Sequence, residues 1–432
     1  MIKRVRCNNI HIHNPKRGDE NRRGKASWYD YYAGFSPAFV RDALRFIAPP
    51  ANAHIMDPWN GSGTTTEVIA NAGIGVFGFD LNPVMVFVAK ARLIGLPVKP
   101  SLRSILEDLL AKTALFGVPP KTDPLRAWFA PSAATALRKF EQAIQHLLID
   151  PHEQRNLFSD DHLDAVSSLA AFYYVAGFRA IRSFLKPFRS SNPTWLKVPV
   201  DDGARIAATT RSIHSAIREH VAIMIDTLGT ETAPSHQCTA TIAKAASTRL
   251  PLGGASIDAV IASPPYCTRI DYVRKTSPEL AFLGAVPDDL AVLRDAMIGT
   301  PTIATTIALP SESWGYTCRN LMQRITNHDS YAAKSYYSKT YAQYFDGMAR
   351  SLSEINRTLR DRASVLLVVQ DSHFKNVRID LVTVIKEMVA HHHWEPTLQA
   401  DFPIGRTIAA LNPHARANNN GTTETVIGFR KA

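Results

Sequence analysis

The chain has 432 residues, of which 45% are hydrophobic and 20% charged, and its formal charge is +11. That length holds two or three average domains, or one large α/β domain carrying an insertion, and the composition is that of a soluble globular protein. No apolar run approaches the roughly 18 residues a membrane span needs, so no membrane partner is expected, while the excess of Lys and Arg favours a polyanionic one.

Residues 1–25 are polar, basic and aperiodic, which predicts an N-terminal arm; they lack the apolar stretch of a secretory signal, so a cytoplasmic, reducing location is expected. Cys7, Cys238, Cys267 and Cys318 are scattered without the close spacing of zinc sites or disulfide frameworks, and read as free thiols. Ser36 and Pro37 open a helix whose apolar face runs to Ile47. "AHIMDP" then reads as a buried strand, "WNGSG" as a glycine-rich turn, "TTTEVIANAG" as a helix closed by Gly73, and "GVFGFD" as a second strand. Strand, turn, helix and strand within some thirty residues describe a right-handed βαβ unit in a parallel sheet. "PVMVFVAKARLIG" returns as a helix.

Strand signals fade over residues 101–237, where three long segments carry helical periodicity; this predicts a helical insertion between catalytic segments 26–100 and 238–432. "CTATIAKA" and "SIDAVIAS" resume the strands. After a mixed stretch come the helix "KTYAQYFDGMARSLSEINRTLR", the strand "SVLLVVQ", a helix around "DLVTVIKEMVAHH" and the strand "TETVIGFRK".

Two motifs carry chemistry. In "DPWNGSGTT" the small residues Gly61 and Gly63 let a ligand approach backbone and helix N-terminus, but no Lys follows as in a P-loop and no third Gly completes a dinucleotide fingerprint. Asp80, at the end of the second strand, can accept from a ribose diol, and Asp57, at the end of the first, suits a cationic group. A ribose, an ammonium and a sulfonium without phosphate describe S-adenosylmethionine. The plainer alternative is that both acids only cap the helices that follow. The second motif, Ser263-Pro264-Pro265-Tyr266, ends a strand at the same sheet edge. Two prolines freeze the backbone, so a carbonyl and the serine oxygen can hold an exocyclic amine while Tyr266 stacks on a flipped base. A proline-stiffened turn beside a buried tyrosine is the bland reading.

Together, "DPWNGSGTT", "FDLNP" and "SPPY" resemble the amino-methylating DNA methyltransferases, in particular those acting on N4 of cytosine. The resemblance implies a Rossmann-like seven-stranded α/β methyltransferase sheet with a large helical insertion. It implies S-adenosylmethionine as cofactor, held by Asp57, Pro58, Trp59, Gly61, Ser62, Gly63 and Thr64, by Asp80, Leu81 and Asn82, and by Phe35, Ser36 and Pro37. It further implies DNA as substrate, Ser263, Pro264, Pro265 and Tyr266 as the catalytic residues, and a cognate restriction endonuclease as a partner to look for. Serine at the first tetrapeptide position tilts towards cytosine; adenine-N6, an RNA base amine such as guanine-N2, and a silent binding module stay open. Two departures stand out: the glycine-rich motif precedes the tetrapeptide, and "AKAASTRLPL" offers only Ser247 where relatives place an acid near the donor adenine.

Target recognition is expected in 101–237 or in 285–335. Arg182, Lys186, Arg189 and Lys197, interleaved with Phe188 and Trp195, suit phosphate contact, and Arg269 and Arg274 lie near the tetrapeptide in the sequence. A solvated helix face explains the first group equally well. "HHHW" at 391–394 cannot turn all its rings onto one ion, so no metal is expected.

Overall fold

A computed structural model describes residues 4–7, 10–16, 18, 23–31, 34, 36–160, 163–190, 195–229, 239–267, 270–403 and 423–432. In chain order the strands and α-helices are β1 (Arg4–Cys7), β2 (Ile10–His13), α1 (Pro37–Ile47), β3 (His54–Asp57), α2 (Thr64–Asn71), β4 (Gly75–Asp80) and α3 (Pro83–Arg92). Helices α4 (Leu102–Lys112), α5 (Pro131–Leu148), α6 (Ser168–Phe184) and α7 (Thr210–Asp226) follow. Next come β5 (Ala240–Lys244), β6 (Ile257–Ala262), α8 (Tyr272–Phe282), α9 (Pro287–Ala296), α10 (Gly315–Thr326), α11 (Ser338–Thr358) and β7 (Leu359–Gln370). The chain closes with β8 (Ser372–Phe374), β9 (Val377–Ile379), α12 (Leu381–Ala390), β10 (Trp394–Pro403) and β11 (Thr423–Lys431).

Seven strands form one mixed sheet in the order β10-β11-β7-β6-β3-β4-β5. The strands from β7 to β5 pair in parallel, whereas β11 runs antiparallel to both β7 and β10. Central strands are apolar throughout because both faces are covered. Ile55, Ile261 and Leu366 pack towards α1 and α2, while their neighbours Met56, Val260 and Val365 pack towards α11 and α12. The chain leaves β3 outwards through β4 and β5, then returns to β6 on its other side, so the direction of winding reverses between β3 and β6. Open α/β sheets bind ligands in the crevice at that reversal, beyond the carboxyl ends of the strands.

The helices of residues 101–229 have no separate core: one apolar cluster runs from α3 through α4, α5, α6 and α7 to α8. Arg138 of α5 pins this layer, donating to the Ala281 and Phe282 carbonyls at the end of α8 (both 2.8 Å) while pairing with Asp123 (2.8 Å) and Glu141 (3.1 Å). The described part of the N-terminal segment is docked on α1. β1 and β2 pair antiparallel, Ile12 is buried against Phe39 and Val40 of α1, and His13 Nδ1 lies 2.5 Å from Asp42 Oδ2. Alternation of Ile10 and Ile12 with His is the signal behind it, too short to stand out beside the charges. The strand β10 was likewise absent from the sequence expectation, since Pro396 and Pro403 argue against a strand; it is a sheet edge, where proline is tolerated. Among the described residues no helix is long and apolar enough to cross a membrane, and no group of three His, Cys, Asp or Glu side chains could hold a metal. Cys267 and Cys318 are buried thiols, and Cys238 lies outside the described residues.

Candidate active site

At the carboxyl ends of β3, β4 and β6 a single cleft brings both motifs together. Asp57, Pro58, Trp59, Gly61, Ser62 and Thr64 line it from the glycine-rich turn, Asp80, Leu81 and Asn82 from the end of β4, and Ser263 to Tyr266 from the end of β6. Gly63 lies beneath the lining. Its φ of +78° suits glycine, and a Cβ there would sit 2.6 Å from the Ala89 Cβ of α3, so its bareness lets the turn rest on that helix. Gly61, at φ +49°, is bare for another reason: a Cβ would meet the Tyr31 ring at 2.7 Å.

The turn is held from below. Arg92 of α3, 2% exposed, donates to the Ser62 carbonyl (2.8 Å) and Thr64 Oγ1 (3.2 Å) and pairs with Glu67. Asp80 takes the Gly61 N–H (2.9 Å) and the Asn82 N–H (2.8 Å), fixing the turn to the end of β4. Asp57 accepts from the Trp59 N–H (3.1 Å). Neither acid caps the following helix with its side chain; at α3 that is Asn82, which accepts from Val84 N–H (3.0 Å) and ties to Thr276 of α8 (2.9 Å). Burial lifts the Asp57 carboxyl to about 7 and that of Asp80 to about 6. Among the described residues, the charged ones lining the cleft are Asp30, Asp57, Asp80 and Lys275, an acidic excess that repels phosphate and welcomes a cation.

Across the cleft, the Ser263 hydroxyl donates to the Val368 carbonyl of β7 (2.9 Å). With its proton on that carbonyl, the Ser263 oxygen keeps its lone pairs as acceptors, and the residue lines the cleft. Tyr344 of α11 donates to the Pro265 carbonyl (2.8 Å), and Tyr266 donates to Glu424 Oε1 at the start of β11 (2.8 Å). Burial raises the Glu424 carboxyl, which is 5% exposed, and its second oxygen has no hydrogen-bond partner among the described residues. Tyr31, Tyr344, Val368 and Glu424 escaped the sequence reading because each reaches the motifs from a distant element. A signal existed only for Tyr31, in the aromatic run preceding α1.

Several expected contacts lie elsewhere. Ser36 and Pro37 begin α1 outside the lining, where Ser36 N–H bonds Pro15; Tyr31 and Gly34 line the cleft instead. Phe35 and Arg269 fall outside the described residues. Arg182 turns inward, donating to Glu279, which is fully buried, and to the Lys275 carbonyl, so its fork is not offered to phosphate. Lys186, Arg189 and Lys197 are exposed on one turn, and the Arg274 guanidinium stacks 4.1 Å over Trp195 of that turn, bringing it beside α8, whose Tyr272 and Lys275 line the cleft. Ser247 lines the cleft, with its hydroxyl 2.8 Å from that of Ser351.

No family model matches the chain. Over 308 residues, 63% of the chain, it is 25% identical to the type II methyltransferase M.BsoBI of Geobacillus stearothermophilus. That similarity is to a methyltransferase. The chain spans about half the length of that curated relative, 55%. Among solved structures, the rRNA methyltransferase aviRa from Streptomyces viridochromogenes aligns over 96% of this chain and 94% of its own, at 11% identity and a TM-score of 0.32.

Proposed function

We propose that the protein is an S-adenosylmethionine-dependent DNA methyltransferase that modifies an exocyclic base amine, N4 of cytosine by preference. The observation that carries this reading is the committed Ser263 proton: an oxygen that can only accept, on a proline-stiffened backbone, across one cleft from a glycine-rich turn. An amine N–H is the donor such an oxygen wants. The acidic lining favours the cofactor's ammonium and sulfonium over any phosphate-bearing one, and the presence of Asp80 in that lining supports a carboxylate acceptor for a ribose hydroxyl. When bound, S-adenosylmethionine supplies an electrophilic methyl group. Ser263 and the tetrapeptide backbone would hold the amine so that its lone pair faces the methyl group of a donor held by the glycine-rich turn, with sulfur as the leaving group. The surplus amine proton then passes to water. Tyr266, anchored through its hydroxyl, offers its ring to the base, and a target base must leave its duplex to reach it.

Ser263→Ala should lower the rate of methyl transfer about 10²- to 10³-fold with donor affinity intact, as loss of one preorganised polar contact does. Asp80→Ala should instead weaken donor binding. Incubation with labelled donor and DNA, followed by mass spectrometry of the nucleosides, should give N4-methylcytosine. N6-methyladenine would move the assignment to the other base, and label found only in RNA would refute the DNA reading.

A further inference from the structure

Helix α10 has no acidic residue, and its two sides differ sharply. Cys318, Leu321, Met322 and Ile325, spaced three and four apart, are buried, whereas Tyr316, Arg319, Asn320, Gln323 and Arg324 are exposed. The side chains of Asn320, Gln323 and Arg324 meet no partner among the described residues, and Arg319 spends only its Nε–H, on the Gly315 carbonyl of its own helix. Arg218 of α7, by contrast, is paired with Glu107 of α4 at 2.7 Å. The exposed side of α10 borders a groove walled by Ile307–Pro310 and by Ser338 and Lys339 of α11, and among the described residues no carboxylate lines it.

This groove shares a wall with the catalytic cleft. The segment that supplies Ala296, Met297 and Ile298 to the cleft continues to Ile307–Pro310 in the groove. Tyr336 holds it through the Pro301 carbonyl (2.8 Å), and Gln343 of α11 accepts from Ala304 N–H (3.1 Å). The next residue of α11, Tyr344, bonds the tetrapeptide. An occupant of the groove is thus registered against the base-holding corner through one helix.

We infer that α10 enters the major groove of duplex DNA beside the methylated base, with Asn320 and Gln323 meeting base edges and Arg319 and Lys339 meeting phosphates. Asn and Gln match the paired donor and acceptor of adenine, and an unneutralised cationic groove matches a polyanion. B-form DNA admits a helix in its major groove whereas double-stranded RNA does not, which selects the partner. The inference rests on the nucleic-acid reading above and deepens it.

Two double variants test it, each checked first for unchanged donor affinity by calorimetry. Arg319→Ala/Lys339→Ala should weaken binding to a mixed-sequence DNA duplex, read by fluorescence anisotropy, about tenfold, and lower the slope of log affinity against log salt by about 2. Asn320→Ala/Gln323→Ala should keep most affinity but relax the sequence around methylated bases, with a loss of discrimination of about tenfold or more at one or two positions. Unchanged binding in the first variant, tighter binding to duplex RNA than to DNA, or an unchanged methylation context in the second would overturn the inference. If the first variant loses DNA binding as expected but the wild type transfers no methyl group to DNA, the assignment of α10 stands and the proposed reaction falls.

Discussion

Asp57 and Asp80 are acids whose burial costs more than their backbone partners return, so both carboxyls titrate near neutrality, at about 7 and about 6. Because each value is raised in the folded protein, ionising them removes stability as pH rises through it, and a bound cation offsets that cost. Donor affinity should therefore rise from about pH 5.5 to about pH 8 and then level off, with protons released on binding; calorimetry in buffers of different ionisation enthalpy would record both. Asp57→Asn should flatten the upper part of the curve. Glu424 makes a second prediction at this scale. Glu424→Gln keeps an acceptor for the Tyr266 hydroxyl and should retain most activity, whereas Glu424→Ala strands that hydroxyl at a cost of about 1–3 kcal/mol and should slow transfer about tenfold or more. Equal rates for the two variants would show that the contact does not orient the ring. Single residues at strand ends were readable in the sequence because glycine, proline and aspartate each impose a local requirement. Glu424 was not: it stands in an ordinary strand, 158 positions from the tyrosine it holds.

The elements that build the cleft are a turn and a corner, each braced from outside its own motif. Arg92, 30 residues beyond the Ser62 it supports, replaces solvent for the Ser62 carbonyl and the Glu67 carboxylate together. Gly63→Ala would need the left-handed backbone of an L-residue and a methyl group inside contact distance of Ala89; a loss of about 1–3 kcal/mol in thermal or denaturant unfolding is expected, with weaker donor binding as the turn lifts. Donor affinity unchanged beside the lost stability would separate the packing from the site. At this scale the sequence was legible for βαβ units, whose glycine and helix-cap signals are local. It misled at Arg182, where a basic and aromatic stretch fits a phosphate surface as well as it fits an interior: the arginine turns in because Glu279, almost a hundred residues on, needs a partner in the core.

For the molecule as a whole, the helices of 101–229 share one apolar cluster with the sheet's own α3 and α8, and Arg138 closes the junction. Arg138→Ala leaves Asp123 and Glu141 buried without a counter-charge, and should cost about 3–5 kcal/mol. Calorimetry should show a single transition moved to lower temperature; two separated transitions would mean that the helical layer melts by itself. Periodicity revealed these helices but not what they pack on, since an amphipathic stripe names a face and leaves its partner open.

The outer strand β10 has a bearing on handling. Its prolines at 396 and 403 remove ladder donors, and Glu395 and Asp401 add charge along the same margin. A second molecule searching for a rail on which to extend its own sheet finds a broken one, so concentrated samples should resist fibrous stacking even though the strands behind are nearly pure hydrocarbon.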